Sequence, residues 1–298
     1  MSGKVSKTGR GRAVRYAYSV SPILETFDME RYFEIDSDER ELVSEGFNFD
    51  IWSQLTGLLT APEKSQAEVL NRTYREHVAC LSPALLKKEL ERITIELSWK
   101  SSRIEGNTYT LLDTEMLIKE NIEAQGKTKD DARMILNHKT AIDFVFSEPG
   151  YFKSVSARRI ENLHRLLVEG LGVSFGIRTR RVGITSTRYR PRDNVHQIRE
   201  ALNQLCVLLN SGAGPLEKAM VAVLMISYLQ PFEDGNKRTA RILGNALLIA
   251  HGWCPLSYRS VNETEYKKAV LLFYERNSAY AFKKLFLNQF SYAVETYF

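Results

Sequence analysis

From about residue 65 onward the chain repeats apolar residues at intervals of three and four, while glycine and proline stay scarce at 17 and 8 in 298 residues. That spacing fills one face of a 3.6-residue period, and the shortage of breakers lets the period run for whole helices. Leu85, Leu86, Leu90, Ile93 and Leu97 show it in SPALLKKELERITIELSW. Ser82 stands where a side chain caps the first turn, and Pro83 takes the first helical position, where a missing N–H costs nothing. The same reading predicts helices near 66–79, 111–123, 129–146, 156–170, 194–210, 215–229, 235–250, 262–276 and 278–295. An all-α body follows. Residues 178–190, RTRRVGITSTRYR, differ: β-branched and basic residues alternate before Pro191, which reads as a short β-hairpin set on the helical body.

With 44% hydrophobic and 26% charged residues, the composition excludes wholesale disorder, and the length allows one large domain or two modest ones. The longest apolar run, AMVAVLMISYL at 219–229, falls short of the roughly 20 residues a membrane span needs, so no membrane is expected. Cys80, Cys206 and Cys254 are too few and too far apart for a disulfide framework or a CxxC metal site, which suits a reduced, cytoplasmic setting. The pI is near 9.0. Lys4, Lys7, Arg10, Arg12 and Arg15, however, account for the whole excess of 41 bases over 36 acids. Residues 1–16 therefore read as a flexible basic tail ahead of a neutral body, and nucleic acid is not an expected partner.

The most informative segment is Gln230-Pro231-Phe232-Glu233-Asp234-Gly235-Asn236-Lys237-Arg238-Thr239-Ala240-Arg241, between two strongly apolar helices. Pro231 stops the first helix after Gln230, and Gly235-Asn236 tolerate the turn conformations that aim successive N–H groups at one point. The helix that starts there offers unpaired N–H groups and a partial positive charge, to which Lys237, Arg238 and Arg241 add formal cations. Asp234, Arg238 and Arg241 follow at i, i+4 and i+7 and share a face. One carboxylate among several cations suits a metal-bound polyphosphate, with Asp234 on Mg²⁺ and the loop on phosphates. A Gly-Asn turn with basic residues can equally serve only to join two helices.

The segment resembles the Fic (Fido) family motif HPFx(D/E)GN(G/K)RxxR at Pro231, Phe232, Asp234, Gly235, Asn236, Arg238 and Arg241. Ser101-Ser102-Arg103-Ile104-Glu105-Gly106-Asn107 is similar to the inhibitory-helix motif (S/T)xxxE(G/N) of Fic proteins whose inhibitor lies N-terminal to the core. Ile160, Leu163 and His164, Asn137 and Ala141, and the 178–190 stretch extend the likeness over about 95–295. The resemblance implies a Fic-type helical bundle with a small β-hairpin flap. It divides the chain into the tail at 1–16, an N-terminal helical region at 17–94 and a Fic-like domain at 95–295, with an inhibitory helix at about 95–107 and a core at about 155–293.

The activity implied is transfer of AMP from ATP to a protein hydroxyl. By position, Asp234 holds Mg²⁺, Gly235, Asn236, Lys237 and Arg238 cradle phosphates, Arg241 meets the γ-phosphate, Phe232 packs inward and Tyr266 lies near the adenine. Thr185, Ser186, Thr187 and Arg188 fall in the flap along which a target protein is presented; a homo-oligomer is compatible with the likeness. Ser101 and Glu105 belong to the inhibitor, Glu105 by pairing with Arg241 and keeping the γ-phosphate from its productive place.

Two positions depart from the family pattern. Gln230 stands where the family's catalytic histidine takes the proton of the attacking hydroxyl, and an amide has no comparable proton affinity. Loss of a general base typically costs about 10²- to 10⁴-fold. Lys237 replaces the usual glycine and resembles a branch that transfers the terminal phosphate instead. The sequence thus leaves open an autoinhibited, impaired adenylyltransferase, a phosphotransferase, and a catalytically silent nucleotide-binding or protein-interaction module. His77, His138, His164, His196 and His251 form no HxxxH or HExxH pair, and His164 reads as structural.

Overall fold

The computed structural model describes the backbone of residues 3–8 and 15–298, and side chains from residue 21 onward. Gly3–Thr8 (β1) and Arg15–Val20 (β2) pair antiparallel, Gly3 opposite Val20 and Thr8 opposite Arg15. The flexible tail expected over 1–16 falls partly outside the described residues. A short helix, α1 (Met29–Glu34), precedes ten longer ones. These are α2 (Ala61–Cys80), α3 (Pro83–Ile104), α4 (Leu111–Glu120), α5 (Lys129–Ser147) and α6 (Ala157–Val168), followed by α7 (Val195–Leu209), α8 (Pro215–Leu229), α9 (Asn236–Ala250), α10 (Glu263–Arg276) and α11 (Tyr280–Tyr297). Among the described residues none of them is long and apolar enough to cross a membrane.

The starts are written locally. Ser82 accepts a hydrogen bond from the Leu85 N–H ahead of α3, Thr60 with Glu63 and Thr110 with Asp113 form capping boxes, and Asn262 caps α10. α8 buries nearly every residue, whichever way it points, and lies against α9 at the centre of the molecule. α9 turns its other faces to α3, α5 and α6, α8 turns its own to α7 and α10, and α11 packs on α10 and α2. Gly244 sets how closely the central pair approaches: a Cβ there would lie 2.9 Å from Val223 Cγ2 and 3.3 Å from the Ala219 carbonyl oxygen.

One cluster of buried apolar side chains runs from Ile23 to Tyr297, and α3 spans the 94/95 position continuously. Residues 21–60, outside α1, have little regular structure and bond to distant parts of the chain instead. The Val43 N–H donates to the Glu275 carbonyl (2.7 Å), the Asn48 N–H to the Tyr228 hydroxyl (3.0 Å), and the Gly57 N–H to Glu217 Oε1 (2.6 Å).

The hairpin expected at 178–190 is absent. The segment is extended with a turn at 185–186, and its one bridge is parallel, between Arg190 and Gly46. Alternating β-branched residues cannot close a hairpin by themselves, and Thr185-Ser186 lacks the Asn-Gly or Gly-Xaa chemistry of tight hairpin turns. Side chains satisfy the backbone here: Arg178 donates to the carbonyls of Arg180 and Arg192, and Thr187 Oγ1 accepts from the Tyr189 N–H.

Candidate functional site

Pro231 ends α8 where the sequence requires. Gln230 turns left-handed at φ +48° and closes the helix through its N–H to the Ile226 carbonyl (3.0 Å). Its side-chain Nε2 donates to the Ser227 carbonyl (2.7 Å), folding the amide back onto α8. Arg178 fixes the exit: its Nε donates to the Gln230 carbonyl (2.7 Å) and its backbone N–H to that of Pro231 (3.0 Å). Asn236 clasps the loop, accepting from the Phe232 N–H and donating to the Phe232 carbonyl, both at 2.8 Å.

Gly235 takes φ +76°, a conformation that penalises a side chain, and a Cβ there would meet Val168 Cγ1 at 2.8 Å. His164 braces the loop from α6. Its Nε2 lies 2.9 Å from the Asp234 carbonyl oxygen, which only accepts, so Nε2 carries the proton. The ring stacks on inward-packed Phe232 at 3.8 Å between centroids. Burial pushes the His164 pKa down to about 4, so it is neutral and structural.

The amides of Gly235, Asn236, Lys237 and Arg238 find no acceptor among the described residues, at the positive end of α9. Arg238 is buried, with Nη2 on Asp234 Oδ2 (2.7 Å) and Nη1 on the Leu167 carbonyl (3.3 Å). The Asp234 side chain remains 65% exposed.

Arg241, one turn deeper and fully buried, is held by α3. Nε donates to Ser101 Oγ (2.9 Å), and Nη2 to the Ser101 carbonyl (2.8 Å) and to Glu105 Oε1 (2.9 Å). Glu105 Oε2 lies 3.6 Å from Lys237 Nζ. Burial alone would raise the Glu105 carboxyl; Arg241 and then Lys237 outweigh it and keep the group below the ordinary glutamate range, hence charged. Behind Ser101 stands His138 of α5. Its Nδ1 donates to the Met134 carbonyl (2.9 Å), which leaves Nε2 to accept from the Ser101 hydroxyl (2.9 Å). Burial lowers the His138 pKa to about 3.

Some of these groups border a cleft of about 430 Å³, within the range of small-molecule sites, while Arg241 is fully buried and does not line it. Glu105, Gln230 and the Asp234–Arg238 loop form one side, Tyr266 and Tyr274 of α10 another, and Val182–Ser186 the rim. Thr185 and Ser186 therefore reach the site. Thr187 and Arg188 do not line it; Arg188 Nη2 donates to the Arg40 carbonyl instead (2.8 Å). Tyr266 is buried with its hydroxyl 3.5 Å from Arg241 Nη1. Sequence reasoning missed His138 and Arg178. A helical period marks a buried position but not what meets there, and the arginine sat in a run read as strand.

The fold and loop define a helical domain with a row of acceptor-free amides at one helix start. The sequence model of the Fic/DOC family matches residues 154–248. The protein adenylyltransferase Fic of Nematostella vectensis is 27% identical over 190 residues, covering 61% of this chain and 43% of its own length. That of Drosophila grimshawi is 24% identical over 186 residues, covering 61% and 38%. The chain thus spans less than half the length of these curated relatives. Fic-1 (residues 134–508) of C. elegans superposes with a TM-score of 0.69 at 20% identity, over 82% of this chain and 74% of that one. A Fic domain-containing signaling protein of Bacteroides thetaiotaomicron gives 0.63 at 20% identity, over 78% and 93%. The chain carries a Fic (Fido) domain on a Fic-type helical fold.

Proposed function

We propose that this chain binds Mg-ATP in the cleft as an autoinhibited relative of protein adenylyltransferases, impaired in transfer by Gln230. The observation that carries the reading is the row of acceptor-free amides at 235–238 above the Arg241–Glu105 pair. A polyphosphate takes those amides as donors, Lys237 neutralises it, and the exposed Asp234 carboxylate offers a ligand to Mg²⁺. One carboxylate suits a metal that arrives with phosphate oxygens, and the ion's contribution is to neutralise charge on the leaving pyrophosphate.

Autoinhibition follows from competition. Glu105 Oε1 holds the guanidinium that a γ-phosphate needs, with an attraction on the order of 4 kcal/mol at 4 Å and an effective dielectric of 20. AMP transfer forms a bond from a target hydroxyl oxygen to the α-phosphorus and breaks the bond to pyrophosphate, so the hydroxyl proton needs a base. Gln230 can accept a hydrogen bond but takes up no proton at neutral pH. A catalytically silent module is the second reading, favoured by the Gln230 amide's bond to Ser227 on its own helix.

Incubation with labelled ATP and Mg²⁺ tests both. Gln230→His with Glu105→Gly is expected to label protein about 10²- to 10⁴-fold faster than Glu105→Gly alone. No labelling by the double variant while nucleotide still binds favours the silent module. Failure of Mg-ATP to raise the melting temperature at 100 times any plausible dissociation constant, where about 2.7 kcal/mol of stabilisation is due, overturns the nucleotide reading.

A further inference from the structure

Residues 36–48 lack helical periodicity, yet they build the outer support of the 178–190 segment. Arg40 is at their centre and only 3% exposed. Its Nη2 donates to the Ser186 carbonyl (2.6 Å), its Nη1 lies 3.4 Å from Glu275 Oε2, and its guanidinium covers the Phe33 ring at 4.8 Å. Tyr32 donates its hydroxyl to the same Glu275 oxygen (2.8 Å). That segment answers with bonds of its own: Arg188 Nη2 to the Arg40 carbonyl (2.8 Å) and the Arg190 N–H to the Glu45 carbonyl (2.7 Å).

The anchor and the thing anchored both belong to the cleft. Glu275 lies in the last turn of the helix that supplies Tyr266 and Tyr274 to the cleft wall, and Ser186 lies on the rim. Ser186 has φ +65°, a conformation serine adopts only when its surroundings impose it. The Arg40–Glu275 pair is also poorly satisfied. Arg40 Nε and Glu275 Oε1 have no partner among the described residues, although Glu275 is fully buried. A buried ion pair with unmet groups contributes little to stability, and its use is to fix position.

We propose that Arg40 is a positioning residue of the site: braced on Glu275 of α10, it sets the 185–186 turn over the cleft and makes residues 36–46 part of the machinery that presents a target. The role in presentation rests on the function proposed above; the mechanical linkage does not.

Amide hydrogen exchange on the full chain tests it. Arg40→Met with Glu275→Gln removes both charges and leaves no buried ion unpaired. The Tyr189 amide, bonded to Thr187 Oγ1 beside the turn, is expected to exchange about tenfold faster or more, with α8 and α9 at wild-type rates. Faster exchange confined to 36–46, with Tyr189 unchanged, reduces Arg40 to an anchor for its own segment and overturns the proposal. Should the double variant fail to fold, Glu275→Gln alone decides: faster exchange at Tyr189 supports the linkage and an unchanged rate overturns it. Wild-type protein that ignores Mg-ATP would sink the nucleotide reading and leave this result readable.

Discussion

At the scale of single residues, the loop from Gln230 to Arg241 concentrates its demands on two positions. Gly235 combines φ +76° with a Cβ site 2.8 Å from Val168 Cγ1, so Gly235→Ala carries both backbone strain and a clash. It is expected to cost about 2–3 kcal/mol in urea unfolding and to weaken any anion bound at the α9 start. Asn236→Ala removes both bonds to the Phe232 backbone and strands two buried polar groups, a loss of about 2–4 kcal/mol. A calorimetric scan in which either variant melts with the wild type would show that the loop is not held as described. The motif residues were legible because their spacing is local: a proline, a glycine and cations at fixed offsets along one helix start. His138 was not, since its meaning depends on Ser101, 37 positions away and on another helix.

Elements were legible where period and punctuation agree. All ten helices from α2 to α11 fall where apolar spacing, caps and breakers place them, because each of those signals acts within a few residues. Residues 178–190 and 21–60 were not. At 178–190 the β-branched pattern was present, but the backbone partners are arginine side chains and Gly46, which no alternation can announce. Residues 40–48 depend on Glu275, Tyr228 and Asn277, more than 170 positions on. The central α8–α9 contact makes its own demand. Gly244→Ala pushes a methyl group to 2.9 Å from Val223 Cγ2 and 3.3 Å from a backbone oxygen that cannot move independently of its helix. The expected cost is about 1–3 kcal/mol, read as a lower urea midpoint with an unchanged slope; an unchanged midpoint would mean that the pair can separate freely.

For the whole molecule, the two buried histidines tie the site to the acid stability of the fold. His138 supports Arg241 through Ser101, and His164 supports the 230–241 loop through Asp234. Their pKa values are pushed down to about 3 and about 4, mainly by burial, against an ordinary value of 6.5. The unfolded chain therefore binds protons near pH 6.5 that the native state refuses, and stability falls as pH drops through that range. Glu63, Glu105 and Asp113 have lowered pKa values, so their contributions are complete above the usual carboxylate range and fade only below it. This leaves pH 6.5 to 5 as the window in which the histidines dominate this set. Together they are expected to remove about 3 kcal/mol across it, a large part of the roughly 5–15 kcal/mol typical of a folded domain. Urea unfolding at pH 6.5 and at pH 5 measures the loss directly. His164→Gln retains an N–H donor for the Asp234 carbonyl without a titrating ring, and should roughly halve the difference between the two pH values. A wild-type chain equally stable at both would mean that both rings take up protons inside the fold, against the burial that keeps them neutral.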